Sequence, residues 1–107
     1  MQYIQRFNLK HNRAGEYREL LKKYDQTLRE GQPEGWTYLG TWFTVLGFGR
    51  YEVEVRFELR DYADLGAGFG SEALQKAYLE MMDMFTDEPW ETYLMKSAED
   101  VRIMEGT

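Results

Sequence analysis

The side chains best suited to proton transfer lie on one strand-like segment and beside one turn. Glu54 and Glu58 fall on the polar side of residues 51–60, where apolar and charged residues alternate without a break. A carboxylate that is partly removed from water has a raised pKa and can act as a general base. His11, the only histidine, could act as a base or as a hydrogen-bond donor to a ligand. The structural alternative for the two glutamates is a salt-bridged surface between two subunits.

A second group of candidate functional residues lies in the aromatic segment from residue 36 to residue 46. Trp36, Tyr38 and Trp42 share one parity of the strand that this segment predicts, and Phe43 has the other parity. A strand that is apolar on both faces needs cover on both. We therefore expect either a partner subunit or a cavity for an apolar ligand beside it, with phenol groups to orient the ligand.

The chain also contains a glycine-rich segment, residues 66–70, directly before the predicted helix start at Ser71. Its spacing does not match the dinucleotide-binding fingerprint, and no Gly-Lys-Ser/Thr sequence follows it. Two interpretations stay open. The segment is either an irregular start to the helix or a flexible stretch at the mouth of a pocket, in which Phe69 acts as a plug.

These observations define two sets of candidate residues. An enzyme needs an acid or a base beside the aromatic cluster, whereas a pure interface does not. The predicted catalytic residues are His11, Glu54, Tyr3 and Tyr51. The predicted ligand-binding residues are Trp36, Tyr38, Trp42, Phe69 and Trp90.

Composition excludes several classes of function. The 107 residues include 19 acidic and 13 basic side chains, a net charge of −6, which disfavours nucleic acid and anionic membranes as partners. The absence of cysteine and the single histidine argue against metal and iron–sulfur sites, so we predict no metal and no cofactor. The sequence shows no signal-peptide pattern and no apolar run of membrane-spanning length. We expect a single cytoplasmic domain over residues 1–107.

The elements that must position these residues follow from the periodicity of the apolar side chains. The predicted elements are strands over residues 1–10, 36–46, 51–60 and 90–97 and helices over residues 13–30 and 71–85. Val101, Ile103 and Met104 in the acidic tail indicate a further short strand or arm.

The resulting order, βαββαβ, predicts an α+β, ferredoxin-like sandwich. Its four-stranded antiparallel sheet would have the strand order 4-1-3-2, and both helices would lie on the same face. The other face would be bare, which is acceptable only if it is polar or covered by a partner.

The chain resembles the dimeric α+β barrel superfamily, in which two such sheets pack through their bare faces. The resemblance rests on the opening strand at residues 3–7, the helix around residues 17–21, and residues 53–62. It is most similar to the NIPSNAP-like branch, where a strand ending in a Leu-Arg-Asp-Tyr type of sequence, here residues 59–62, runs into a helix.

The resemblance implies a homodimer and a cofactor-independent monooxygenase, cyclase or isomerase. Haem-degrading members combine an asparagine in the first strand with a tryptophan in the third strand and a histidine in the second helix. Only the asparagine has a counterpart here, Asn8, so haem is not expected. We therefore predict a homodimer that binds a small apolar or aromatic molecule. The alternative is a non-catalytic protein whose sheet face serves only dimerisation, and the sequence leaves open whether the protein is an enzyme.

Overall fold

Four strands form one antiparallel sheet in the computed structural model, which describes residues 1–47 and 49–99. The strands are β1 (Gln2–Phe7), β2 (Trp36–Phe43), β3 (Val53–Leu59) and β4 (Glu91–Met95). They lie in the order β2-β3-β1-β4, which is the predicted order counted from the opposite edge. The predicted α+β, ferredoxin-like fold is confirmed. The tail segment that contains Val101, Ile103 and Met104 lies outside the described residues.

Helices connect β1 to β2 and β3 to β4, whereas β3 follows β2 with no helix among the described residues between them. The helices are α1 (Ala14–Lys23), α2 (Asp25–Glu30) and α3 (Glu72–Met82), with a 3-10 turn at Tyr62–Gly66. The predicted helix over residues 13–30 is divided at Tyr24, whose backbone angles of φ −104° and ψ 14° depart from helical values. α3 begins after Ser71, whose hydroxyl oxygen accepts a hydrogen bond from the Leu74 amide at 3.1 Å. None of the helices in the described ranges is long and apolar enough to cross a bilayer.

The hydrophobic core lies on one face of the sheet. The inward side chains of β3 are buried, and they alternate with partly exposed charged residues as predicted. The core cluster combines this strand with every helix, and its members include Val53, Val55, Phe57 and Leu59 of β3, Tyr17 and Leu20 of α1, Leu28 of α2, and Leu74 and Met81 of α3. The helices therefore cover one face of the sheet.

The opposite surface of the sheet is called the open face below, because within the described residues no helix packs on it. The strand register places on it Gln2, Ile4, Arg6, Trp42, Glu54, Arg56, Glu58, Glu91, Tyr93 and Met95. Ile4 is only 4% exposed, and its cross-strand neighbours are Arg56 and Tyr93. The stems of these longer side chains can shield the isoleucine while their polar ends stay in water.

β2 contains an irregularity that the sequence analysis does not predict. Tyr38 pairs with Phe57 and Gly40 pairs with Arg56, so that one extra residue of β2 bulges between them. Because side chains alternate with a period of two, one inserted residue exchanges the faces of all residues that follow. The prediction that Trp36, Tyr38 and Trp42 share one face is therefore wrong. Trp36 and Tyr38 face the core, and Trp42 lies on the open face.

Candidate functional site

A row of five side chains crosses the open face from one edge of the sheet to the other. It runs through Tyr93 of β4, Arg6 of β1, Glu54 and Arg56 of β3, and Trp42 of β2, and it is called the open-face row below. The two Glu54 oxygens accept hydrogen bonds from Arg6 Nε at 2.8 Å and from Arg56 Nε at 2.6 Å. The guanidinium carbon of Arg6 lies 5.0 Å from the centre of the Tyr93 ring, and that of Arg56 lies 5.2 Å from the Trp42 ring. Both arginines are thus fixed by an anion and an aromatic ring.

The electrostatics of the row keep Glu54 ionised. Burial acts to raise the pKa of the Glu54 carboxyl, but the hydrogen bonds and charges of Arg6 and Arg56 outweigh it, so the pKa lies below its ordinary value. The neighbouring carboxylates are also engaged: Glu58 accepts from the Met1 ammonium at 3.0 Å, and Glu52 accepts from the Leu9 amide at 2.7 Å. In the single chain these glutamates form ion pairs and hydrogen bonds within the subunit.

A groove of about 530 Å³ runs along the β2 edge of the sheet, between this strand and the first two helices. It is open to solvent on one side. Its lining residues are Leu21 and Lys22 of α1, Asp25 and Arg29 of α2, and Tyr38, Gly40, Thr41 and Trp42 of β2. Two of the predicted ligand-binding residues, Tyr38 and Trp42, are therefore brought to one cavity, and Trp42 also belongs to the open-face row.

Two polar side chains of the groove, Thr41 and Arg29, contact Tyr38. Its hydroxyl shares a hydrogen bond with the Thr41 hydroxyl, and the Arg29 guanidinium carbon lies 5.6 Å from the centre of its ring. Burial raises the pKa of the Tyr38 phenol, although the Thr41 hydrogen bond and the charge of Arg29 act in the opposite direction. The phenol therefore stays protonated at neutral pH and can donate or accept a hydrogen bond.

The other predicted ligand-binding residues lie elsewhere. The Trp36 indole donates to the Asp64 carbonyl at 2.7 Å, and its ring meets the Tyr3 ring edge-on with the centroids 5.2 Å apart. Trp90 stacks on Phe7, with the ring centroids 4.2 Å apart. Phe69 is 85% exposed and does not line the groove. Trp36 and Trp90 take part in structural packing, and the three residues do not join the groove.

The predicted catalytic residues are also dispersed. His11 is exposed in the turn after β1, Tyr3 packs against the core aromatics, and Tyr51 lies beside Arg50 before β3 begins. Glu54 is in the open-face row. The structure does not bring these four side chains to one cavity, and their catalytic roles stay predictions. Within the described residues, no three histidine, aspartate or glutamate side chains are grouped as ligands for a metal ion.

Sequence reasoning missed the charged side of the groove. Lys22, Asp25 and Arg29 have the i, i+3, i+7 spacing that places residues on one side of a helix, and this spacing was the available signal. Tyr93 was missed as well. Its partnership with Arg6 depends on the pairing of β4 with β1, which the spacing within β4 alone does not reveal.

Comparison with solved structures identifies the fold. A crystal structure of an uncharacterized NIPSNAP-like domain protein from Burkholderia xenovorans matches with a TM-score of 0.59 over 91% of this chain and 85% of that chain, at 14% sequence identity. The chain has a NIPSNAP-like fold. This confirms the resemblance in fold that the sequence predicts. No protein-family model matches the sequence, and no curated protein matches it. At 14% identity the likeness concerns the NIPSNAP-like fold alone, so the function has to be argued from the surfaces of this chain.

Proposed function

We propose that the protein is a homodimer that pairs through the open face and binds a small, largely aromatic molecule in the groove beside β2. The observation that carries this proposal is the position of Trp42, which borders both surfaces and is 47% exposed. Tyr93 and Met95 add further exposed apolar surface to the open face. Exposed apolar surface on an uncovered sheet is typical of an interaction site.

The shape and lining of the groove support the binding of a small molecule. Its volume of about 530 Å³ falls in the range of ligand sites, which is roughly 300–1,000 Å³. Leu21 and the ring of Trp42 offer apolar contact, and the hydroxyls of Tyr38 and Thr41 offer hydrogen bonds that would fix the orientation of a ligand. Apolar contact combined with a small number of placed polar groups is characteristic of such sites.

A binding role accounts for these surfaces better than acid–base catalysis does. The lowered pKa of Glu54 makes this carboxylate a weak base, and Asp25 in the groove is paired with Arg29 at 3.2 Å. Monooxygenase, cyclase and isomerase activities stay predictions from the family resemblance. Dimerisation without a ligand is the second candidate, and the breadth of the open-face row favours it.

The dimer is tested by the mass of the protein in solution. Analytical ultracentrifugation at micromolar concentration should give twice the chain mass of 12.8 kDa. Met95→Arg places a charge on the open face and should shift the protein toward the monomer mass, because a desolvated unpaired charge opposes association. Leu79→Arg is the matched control, since Leu79 is an exposed residue of α3 away from this face. A wild-type mass of 12.8 kDa would contradict the dimer.

The ligand half of the proposal is tested by NMR of the tryptophan indoles. Titration of ¹⁵N-labelled protein with 2-naphthamide, a neutral aromatic probe, should shift the indole N–H resonance of Trp42. The Trp36 indole is an internal control, because it is bonded to the Asp64 carbonyl and does not line the groove. Unchanged Trp42 resonances up to the solubility limit of the probe would contradict a site for neutral aromatic ligands.

A further inference from the structure

The groove beside β2 is locally positive, although the whole chain has a net charge of −6. Lys22 and Arg29 contribute two cations to its lining, and Asp25 contributes the one anion. The lining side chains therefore sum to one positive charge, and within the described residues the Lys22 ammonium has only the exposed Glu19 carboxylate, which does not line the groove, as its partner. An excess charge in a concave site raises the local concentration of ligands of the opposite sign.

Arg29 is oriented for the recognition of an anion. Its Nε donates to both carboxylate oxygens of Asp25 at 3.2 Å, and its guanidinium lies over the Tyr38 ring. Among residues 1–47 and 49–99, the structure gives this guanidinium no other hydrogen bond, so the Nη atoms are available. A planar guanidinium that is already held in place matches the two oxygens of a carboxylate with little loss of side-chain freedom.

Lys22 supplies a second donor on the same side of the groove. Its Nζ lies 3.6 Å from a carboxylate oxygen of exposed Glu19, a separation longer than a hydrogen bond. Exposed pairs of this kind contribute little to stability, so the ammonium can turn toward a ligand at small cost.

We propose that the ligand of this groove is an aromatic carboxylic acid. Its ring would lie against Trp42 and Tyr38, and its carboxylate would bind Arg29 with support from Lys22. The one excess positive charge of the groove lining matches a ligand with one negative charge. A phosphate monoester carries two negative charges. The lining would neutralise one of them, and the other would remain beside the Asp25 carboxylate. This inference rests on the proposed function and adds the chemical class of the ligand.

Calorimetric titration with three probes of one ring system tests the inference: 2-naphthoate, 2-naphthamide and 2-naphthyl phosphate. The amide is nearly isosteric with the carboxylate and uncharged at neutral pH. We expect 2-naphthoate to bind about tenfold more tightly than the amide, because a charged hydrogen-bonded pair is added. Arg29→Gln should remove this preference, so that the acid and the amide bind the variant with equal affinity. Lys22→Gln should reduce the preference in part, and circular dichroism would verify that both variants fold.

Arg18→Gln is the matched control, since Arg18 is an exposed residue of α1 that does not line the groove. It should retain the wild-type preference. Equal affinities for acid and amide would overturn the inference and leave the proposed function in place. Binding by none of the probes would overturn both the inference and the ligand half of the proposed function. Tighter binding of the phosphate than of the carboxylate, or an undiminished acid preference in Arg29→Gln, would also overturn the inference.

Discussion

Arg6 and Arg56 determine what Glu54 can do. Each donates its Nε–H to a different oxygen of the carboxylate, and each lies over an aromatic ring of a neighbouring strand. The Glu54 side chain is 19% exposed, so water screens these interactions only in part. The carboxylate is therefore stabilised in its charged form and contributes to the pairing of the two central strands.

Glu54→Gln should lower the free energy of unfolding by about 1–2 kcal/mol at neutral pH, because two charged hydrogen bonds lose their anion. The pKa of Glu54 in the folded state lies below its ordinary value of 4.5. A carboxyl with a depressed pKa stabilises the fold above its unfolded-state pKa, and the effect is lost as the pH falls through the folded-state pKa. The difference between wild type and variant should therefore shrink below about pH 4.5. Urea denaturation at a series of pH values measures this difference in the free energy of unfolding.

Glu16→Gln is the control for this prediction. Glu16 also pairs with an arginine, Arg13, but its side chain is 54% exposed on the surface of α1. Water and salt screen such a pair, so we expect no measurable change in stability. A difference for Glu54→Gln that grows on acidification would show that the carboxyl is not held ionised in the folded protein.

At the scale of the secondary-structure element, the bulge in β2 places Trp42 on the open face. Gly40 adopts φ +141°, and a Cβ atom at this position would lie 3.3 Å from the ring of Trp42. Gly40→Ala should therefore lower the free energy of unfolding by about 1–3 kcal/mol, through backbone strain and contact with the indole. Urea denaturation measures the loss, and the Trp42 indole resonance should shift at the same time.

Gly15→Ala is the matched control within the chain. Gly15 lies in α1, and nothing comes within 4 Å of a Cβ atom at this position. Alanine is the better helix former, so this variant should be more stable by up to about 1 kcal/mol. If Gly40→Ala were as stable as wild type, the positive φ angle would not be needed for the bulge.

The same bulge marks the limit of what the sequence predicts. The strand order follows from the βαββαβ order of elements. The buried side of β3 follows from alternation, because Val53, Val55, Phe57 and Leu59 differ in polarity from the residues between them. In β2 both parities are apolar, so the alternation carries no information about the face of each residue. The position of the bulge depends on pairing with β3, and a single extra residue exchanged the predicted faces of Trp42 and its neighbours.

The candidate site was predictable only in part for a related reason. The sequence identified Tyr38 and Trp42 as ligand contacts, because a strand that is apolar on both faces needs a partner or a ligand to cover it. It did not identify Arg29, since a charge on a helix surface is usually solvated. The contact of Arg29 with Tyr38 depends on the break at Tyr24 and on the packing of α2 beside β2, both of which are tertiary features.

Two properties of the whole molecule act in opposite directions on dimerisation: the net charge disfavours it, and the exposed apolar surface favours it. Each chain carries −6, so two approaching copies repel one another over long distances. On the open face, the carboxylates of Glu54, Glu58 and Glu91 are balanced by Arg6, Arg56 and the Met1 ammonium that pairs with Glu58, so the face has no net charge to drive association. The attraction that we propose therefore comes from apolar and aromatic contact around Trp42, Tyr93 and Met95.

This balance predicts how the dissociation constant of the dimer changes with salt concentration. Raising the ionic strength from about 0.01 M to about 0.1 M shortens the screening length from roughly 30 Å to roughly 10 Å. Repulsion between the two copies should weaken while apolar contact persists, so the dimer dissociation constant should fall by roughly 2- to 10-fold. Sedimentation equilibrium at several NaCl concentrations measures it. If the constant rose with salt instead, ion pairs between the copies would outweigh the net charge. Their source would be the Nη donors of Arg6 and Arg56, for which residues 1–47 and 49–99 supply no hydrogen bond. Arg56→Gln would then abolish the rise, whereas Arg18→Gln on α1 would not.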